Sequence, residues 1–139
     1  MRTKIIIAVA DSPHATQIAQ QGVALARELE ALVCLVCLVD DEGVIGEGPY
    51  TTAEVRQSMY ESAEHMLLKL QSEAGDVECQ TMLLPGNPAK TLGRICQQQQ
   101  PRYVVIGGHR HEGLVHRLSS QIAEHLIDTL PCPLLIVPC

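Results

Sequence analysis

The sequence has 139 residues, which suits one domain that is large enough to fold without disulfides or a metal. Its formal charge of -6 argues against sequence-independent binding to nucleic acid, because such binding relies on a surplus of Lys and Arg. Three Tyr are present with no Phe or Trp, so base-stacking platforms are also disfavoured and the core must be aliphatic.

A run of β-branched residues from Lys4 to Ala10 predicts a buried first strand. It ends at Asp11, after which Ser12 is suited to cap a helix and Pro13 is suited to the first helical position. The apolar face of this predicted helix consists of Ala15, Ile18, Ala19, Gly22, Ala26 and Leu29. The first strand therefore leads directly into the first helix.

A second strand, predicted from Leu32 to Val39, contains the redox-like spelling Cys34-Leu-Val-Cys37. Residues three apart on a strand point to opposite faces, whereas a redox pair needs a helix N-terminus or a similar electropositive setting. We therefore interpret this pair as core residues. The other cysteines show no metal-ligand spacing and are predicted to be small core or terminal residues: Cys79, Cys96, Cys132 and Cys139.

A glycine-rich segment from Glu42 to Pro49 is predicted to form an irregular surface loop. Thr51 and Glu54 then have the spacing of a capping box, which predicts the start of a long second helix. The apolar stripe of that helix consists of Val55, Met59, Ala63, Met66, Leu67 and Leu70. The loop and the helix together link the second strand to the third.

A third strand is predicted from Val77 to Leu84, where apolar residues partly alternate. Asn87 is predicted to cap a third helix, with Pro88 at its first position. The inward face of this helix consists of Leu92, Ile95 and Cys96. Pro101 is expected to separate the helix from the next strand.

The segment after Pro101 has the layout of a ligand-bearing strand, loop and helix. An apolar strand from Arg102 to Gly107 opens into a charged loop, and a helical pattern and a closing strand from Leu134 to Val137 follow. The alternation of strands and helices with short links predicts one α/β domain over residues 1–139, with an open parallel sheet and helices on both faces. Ligands of such sheets lie beyond the carboxyl ends of strands, so the candidate loops are Ala10 to Ser12 and Gly107 to Gln121.

The first apolar run is too short for a signal peptide, since Asp11 closes it. No other run approaches the roughly eighteen apolar residues that a membrane span requires. We therefore expect a cytoplasmic protein that does not associate with a membrane.

Five segments in order resemble the universal stress protein family: Ile-Ile-Ala-Val-Ala-Asp-Ser-Pro, Cys-Leu-Val-Asp, Gly-Asn-Pro-Ala, Val-Val-Ile-Gly-Gly-His-Arg and Pro-Cys-Pro-Leu-Leu-Ile-Val-Pro. The resemblance covers nearly the whole chain. It implies a Rossmann-like sheet of five parallel strands in the order 3-2-1-4-5, four helices, and a homodimer in which the last strands pair. We expect the output of the protein to be contact with a protein partner that the sequence does not identify.

Nucleotide-binding members of that family carry an Asp at the end of strand one, followed by Gly-Ser, and a G-x-x-G-x9-G-[Ser/Thr] signature after strand four. Those glycines let backbone N–H groups approach the phosphates at a helix start. Here Ala10 and Asp11 stand at the Asp and Gly positions of strand one. The four signature positions fall on Gly107, Arg110, Ser120 and Gln121. The resemblance therefore implies lost or weakened ATP binding, and we expect no bound cofactor.

A basic cluster leaves a second interpretation open. It lies beside Ser119 and Ser120, which are suited to cap a helix, and consists of His109, Arg110, His111, His116 and Arg117. In this alternative, side chains hold AMP, ATP or a smaller anion. The candidate binding residues are Ala10, Asp11, Ser12, Val39, Gly107, His109, Arg110, Ser119, Ser120 and Gln121.

Catalysis and metal binding have little support in the sequence. It contains no nucleophile elbow, P-loop or H-E-x-x-H pattern. His109, His111 and His116 are loosely ligand-like, but only Glu112 lies near enough in sequence to extend the set. Hydrolysis of ATP would need metal ligands and a positioned water, for which the sequence offers no candidates. We therefore predict a non-enzymatic stress-response or signalling module, with an adenine-nucleotide or small-anion sensor as the alternative.

Overall fold

The computed structural model describes residues 2–108 and 126–139 of the chain. The strands in these ranges are β1 (Lys4–Val9), β2 (Leu32–Val39), β3 (Cys79–Pro85), β4 (Tyr103–Gly108) and β5 (Leu134–Pro138). The helices with defined bounds are α1 (Ala15–Leu29), α2 (Thr52–Glu73) and α3 (Pro88–Gln99). Residues 126–129 are also helical.

The five strands form one sheet in the order β3-β2-β1-β4-β5, and each neighbouring pair is parallel. β1 lies at the centre, where Ile5 pairs with Val33 of β2 on one side and with Tyr103 of β4 on the other. The predicted open parallel sheet is therefore confirmed. Because the strand order reverses between β1 and β4, the carboxyl ends of these strands flank a crevice that is suited to a ligand.

The hydrophobic core lies on both faces of the sheet. On one face Ile5 and Ile7 pack with the buried residues of α1 and α2. On the other face Ile6 packs with α3 and with Leu126. The predicted placement of helices on both faces is therefore confirmed, as is the inward face of α3 made by Leu92, Ile95 and Cys96.

Side-chain caps set the starts of α2 and α3 as predicted. Thr51 accepts a hydrogen bond from the Glu54 backbone N–H at 3.1 Å, and the Glu54 carboxylate accepts one from the Thr51 backbone N–H at 3.3 Å. The Asn87 side chain accepts a hydrogen bond from the Lys90 backbone N–H at 3.1 Å, with Pro88 as the first residue of α3. These caps satisfy backbone donors that the helices themselves leave unpaired.

The predicted start of α1 is wrong. The helix begins at Ala15, and the preceding residue, His14, makes no side-chain cap. Ser12 Oγ instead accepts a hydrogen bond from the His14 backbone N–H at 3.3 Å, which closes a short turn before the helix. Pro13 therefore lies in that turn, and Ser12 does not act as the helix cap.

α2 has 22 residues, but its length does not indicate a membrane segment. Its buried residues lie on one face, made by Ala63, Leu67 and Leu70. Within residues 2–108 and 126–139, no helix has both the length and the apolar character that crossing a bilayer requires. A cytoplasmic location stays a prediction.

Candidate functional site

A pocket of about 390 Å³ opens at the carboxyl ends of β1, β2 and β4. Its volume lies within the range of small-molecule sites, and it occupies the point where the strand order reverses. α2 and α3 complete its walls. The lining residues are Ala8, Val9, Ala10, Asp11, Ser12, Leu38, Val39, Asp40, Met59, Ala63, Pro88, Leu92, Ile106 and Gly107.

Small residues keep this pocket open between the sheet and the helices. Ala8 and Ala10 contribute little volume at the end of β1, and Ala63 does the same on α2. Gly107 at the end of β4 has no space for a side chain, because an added Cβ would lie 3.1 Å from Ile18 Cγ1 of α1 and still closer to the end of that side chain. The glycine therefore allows α1 to pack closely beside the pocket.

The polar rim of the pocket consists mainly of hydrogen-bond acceptors. Asp11 Oδ2 accepts a hydrogen bond from Ser62 Oγ of α2 at 2.6 Å. Asp40 Oδ1 accepts one from the Glu42 backbone N–H at 3.3 Å. Among the lining residues that the structure describes, none is Lys, Arg or His. This part of the pocket therefore presents apolar surface and carboxylates to a ligand.

The loop that follows β2 is attached to α2 beside the pocket. Tyr60 Oη donates a hydrogen bond to Asp41 Oδ2 at 2.6 Å, and Arg56 Nε lies 3.9 Å from the same oxygen. The hydrogen bond to Asp41 raises the pKa of Tyr60, because ionisation of the phenol would remove the donor. The loop is otherwise irregular and exposed, as predicted, and it carries an isolated antiparallel bridge between Glu47 and Tyr50.

The structure brings five of the predicted binding residues together at the pocket: Ala10, Asp11, Ser12, Val39 and Gly107. A carboxylate therefore does lie at the end of β1, although Ala10 occupies the position of the family's Asp. The other predicted residues lie outside the described residues: His109, Arg110, Ser119, Ser120 and Gln121. Their role in binding stays a prediction.

Sequence reasoning missed several lining residues. Met59, Ala63 and Leu92 were predicted to be ordinary core residues of helices, and they also face the pocket. No local signal separates an apolar side chain that lines a pocket from one that is packed in the core. Asp40 did carry a signal, because a carboxylate directly after a buried strand lies at the ligand-binding edge of a parallel sheet.

Neither the cysteines nor the other possible ligands form a second site in the described ranges. Cys34 and Cys37 belong to the clusters on opposite faces of the sheet, which confirms that the C-x-x-C spelling is not a redox pair. All six cysteines are free. Within residues 2–108 and 126–139, no three His, Cys, Asp or Glu side chains are grouped so that they could hold a metal ion.

We expect Cys37 and Cys96 to resist alkylation in the native protein at pH 8. Burial raises the pKa of each thiol from 9.0 to about 12, which lowers the fraction of reactive thiolate roughly a thousand-fold. Cys132 and Cys139 are partly exposed and serve as internal controls. Brief treatment with iodoacetamide followed by peptide mass spectrometry measures the order of labelling. Labelling of Cys37 as fast as Cys139 would contradict this expectation.

Comparisons with known proteins agree with this architecture. The model of the Universal stress protein family matches residues 1–138. Universal stress protein C of Salmonella typhimurium is 26% identical over 137 residues, which cover 98% of this chain and 95% of that protein. The structure of universal stress protein UspA from Lactobacillus plantarum has a TM-score of 0.81 and 19% identity, covering 98% of this chain and 97% of that one. A universal stress protein family protein from Arabidopsis thaliana, solved with AMP bound, has a TM-score of 0.68 and 17% identity. The match covers 98% of this chain and 91% of that one.

Proposed function

The chain belongs to the universal stress protein family, and from that premise we propose that it is a non-enzymatic, homodimeric stress-response module in which ATP binding is lost or weakened. The observation that carries the proposal is the lining of the pocket, which is apolar with carboxylates at its rim and without a cation among the described residues. A triphosphate needs cations and backbone donors around its oxygens. The output of the module is contact with another protein.

The sequence after β4 supports the same proposal. Arg110 restricts the backbone where a family glycine would let a phosphate approach, and Ser120 and Gln121 replace the glycine and hydroxyl residue at the second approach. A hydrogen bond to a charged group contributes about 1.5–3 kcal/mol, so losing two of them weakens binding by roughly 100-fold or more. ATP is therefore expected to bind poorly at best.

The polar groups of the pocket support a non-enzymatic role. Hydrolysis of a nucleotide needs a nucleophile that is activated by a base or by a metal. Ser12 Oγ accepts a hydrogen bond from the His14 backbone N–H, a contact that does not remove a proton from the hydroxyl. The carboxylates of Asp11 and Asp40 line the pocket, and no third ligand from the described residues joins them in a metal cluster.

A second candidate function, a sensor of AMP or another small anion, is favoured by the pocket itself. The cavity of about 390 Å³ is already formed and largely apolar, as a site for a base and ribose should be. A related structure from Arabidopsis thaliana has AMP bound. In this alternative the phosphate faces the segment after Gly107, where His109 and Arg110 supply positive charge.

The exposed edge of the sheet at β5 supports the proposed homodimer. β5 pairs with β4 on one side only, and its other edge ends the sheet in the described residues. Leu135 and Ile136 on this strand are 41% and 43% exposed. An unpaired edge with exposed apolar residues favours association with another strand. Pairing two copies of β5 would satisfy the unpaired backbone groups of the edge and bury its apolar side chains.

Calorimetric titration of ATP and AMP into the purified protein tests the proposal. We expect no heat from ATP at micromolar concentrations, and AMP binding without turnover would favour the sensor.

Replacing Arg110 with Gly is expected to raise the ATP affinity by about ten-fold, because it removes a side chain and frees the backbone. The Arg110→Ala variant separates these two effects, and Arg102→Ala controls for the loss of a charge elsewhere. An unchanged ATP affinity in Arg110→Gly would contradict the role given to this residue.

A further inference from the structure

The edge of the sheet at β3, opposite β5, has backbone groups that alternate between β2 and the outside of the sheet. The Glu78 carbonyl accepts a hydrogen bond from the Val33 backbone N–H of β2 at 2.9 Å, and the Gly86 backbone N–H donates to the Val39 carbonyl of β2 at 3.1 Å. The even-numbered residues of this segment therefore face β2. In a parallel strand the N–H and C=O of one residue point the same way, and those of the next residue point the opposite way. The odd-numbered residues of β3 therefore direct their backbone groups outward.

Both ends of this outward edge are closed. At its start, the Gln71 side chain of α2 donates a hydrogen bond from Nε2 to the Cys79 carbonyl at 2.7 Å. At its end, Pro85 has no N–H, which a sheet tolerates at an edge. Between these ends, the outward N–H and C=O groups of Thr81 and Leu83 receive no hydrogen bond from the part of the chain that the structure describes. We call Thr81 to Leu83 the β3 window, which presents two backbone donors and two acceptors to an extended segment.

The side chains beside the β3 window are apolar and acidic. Leu68 lies three residues before Gln71 and Glu64 seven residues before it, so all three share the flank of α2 that reaches β3. Leu68 is 56% exposed, and within the described ranges no ion pair includes Glu64. On the opposite face of the sheet, Met82 and Leu84 are only partly buried. These surroundings favour a segment that carries apolar side chains and a positive charge.

We propose that the β3 window binds a short extended segment of a partner protein as an added strand, with apolar side chains and a basic residue that faces Glu64. The inference rests on the proposed output through protein contact, and it adds the surface and the chemistry of the partner. In strand addition, backbone hydrogen bonds give the affinity and side-chain contacts give the selectivity. A second copy of this chain is disfavoured, because symmetric pairing of two β3 edges would bring the Glu64 flanks of two α2 helices together.

A capped peptide with the sequence Val-Lys-Val-Lys-Val is the probe, and amide NMR of the full chain follows its binding residue by residue. At millimolar peptide, we expect the amide signals of Thr81 and Leu83 to shift more than those of Gln80 and Met82, whose N–H groups face β2. N-methylation of the three central residues removes their backbone donors and is expected to weaken binding by about ten-fold or more. The peptide Val-Glu-Val-Glu-Val controls for charge and is expected to bind about three-fold more weakly.

Two variants test the β3 window from the side of the protein. Leu83→Pro removes an outward N–H and leaves the hydrogen bonds to β2 in place, as Pro85 already does two residues later. We expect it to lower the peptide affinity by about ten-fold, with the amide signals of β2 as the check that the sheet is retained. Glu64→Gln is expected to remove the preference for the Lys peptide over the Glu peptide. Glu73→Gln, on the flank of α2 that faces α1, is the matched control and should retain that preference.

The outcomes separate this inference from the proposed function. Unchanged signals of Thr81 and Leu83 at millimolar peptide, or equal binding of the N-methylated peptide, overturn the proposal. A larger share of monomer in Leu83→Pro, measured by sedimentation, would identify a second copy as the occupant and also overturns it. Neither result affects the tests of ATP binding. Micromolar binding of ATP, in contrast, overturns the proposed function and leaves the peptide test of the β3 window in force.

Discussion

Replacing Gly22 with Val is expected to lower the free energy of unfolding by about 1–3 kcal/mol, although the residue lies in a helix where glycine is unfavourable. Gly22 on α1 faces Ile7, a fully buried residue of the central strand β1. A Cβ at this position would lie 2.6 Å from Ile7 Cγ1, and closer still to the end of the side chain. A branched side chain therefore forces α1 away from the sheet.

Gly93 on α3 provides the matched control. A Cβ added at this glycine meets nothing within 4 Å. Gly93→Ala is expected to raise the free energy of unfolding by about 0.5–1 kcal/mol, because alanine is the better helix former. Urea unfolding followed by circular dichroism measures both variants. A gain in stability for Gly22→Val would show that α1 does not pack against β1 in the way described.

The second large effect is expected at the proposed dimer interface. Leu135→Glu should convert the homodimer to a monomer and raise its dissociation constant by about 100-fold or more, because it removes apolar burial and places a charge against the partner strand. Leu135 is the better choice than Ile136, since Ile136 also packs against Gly108 within the chain. Sedimentation velocity over a range of concentrations measures the association.

Leu68 gives the control for this prediction. It is 56% exposed on α2, on an element that does not belong to the sheet edge. Leu68→Glu changes the net charge by the same amount and should leave the dimer intact. A wild-type protein that is monomeric at all concentrations, or a Leu135→Glu variant that still dimerises, would contradict pairing through β5.

The sequence predicted the fold well because buried strands carry a strong local signal. The predicted and observed bounds of β2 are the same, Leu32–Val39, since its continuous apolar run is typical of a strand covered on both faces. The predicted start of α1 was wrong because the Ser12 side chain accepts a hydrogen bond within a turn before the helix. The same side chain could instead have capped the helix, since serine is suited to both conformations. β3 begins at Cys79, after Val77, whose backbone N–H donates to the Ala74 carbonyl in the turn that ends α2.

The candidate site was predicted only in part. Asp11, Ser12 and Gly107 follow from the rule that ligands lie beyond the carboxyl ends of parallel strands. The contact between Ser62 and Asp11 had no sequence signal, because an exposed serine within a helix is common and its partner is 51 positions away. Such contacts depend on how α2 packs across the sheet, which local patterns do not specify.

We propose that this chain has lost or weakened the ATP binding that the intact signature of its family supports. The most direct measurement is the nucleotide content of freshly purified protein, released by denaturation and quantified by chromatography against the protein concentration. We predict that ATP is present far below one molecule per chain. One ATP per chain, retained through purification, would contradict the account.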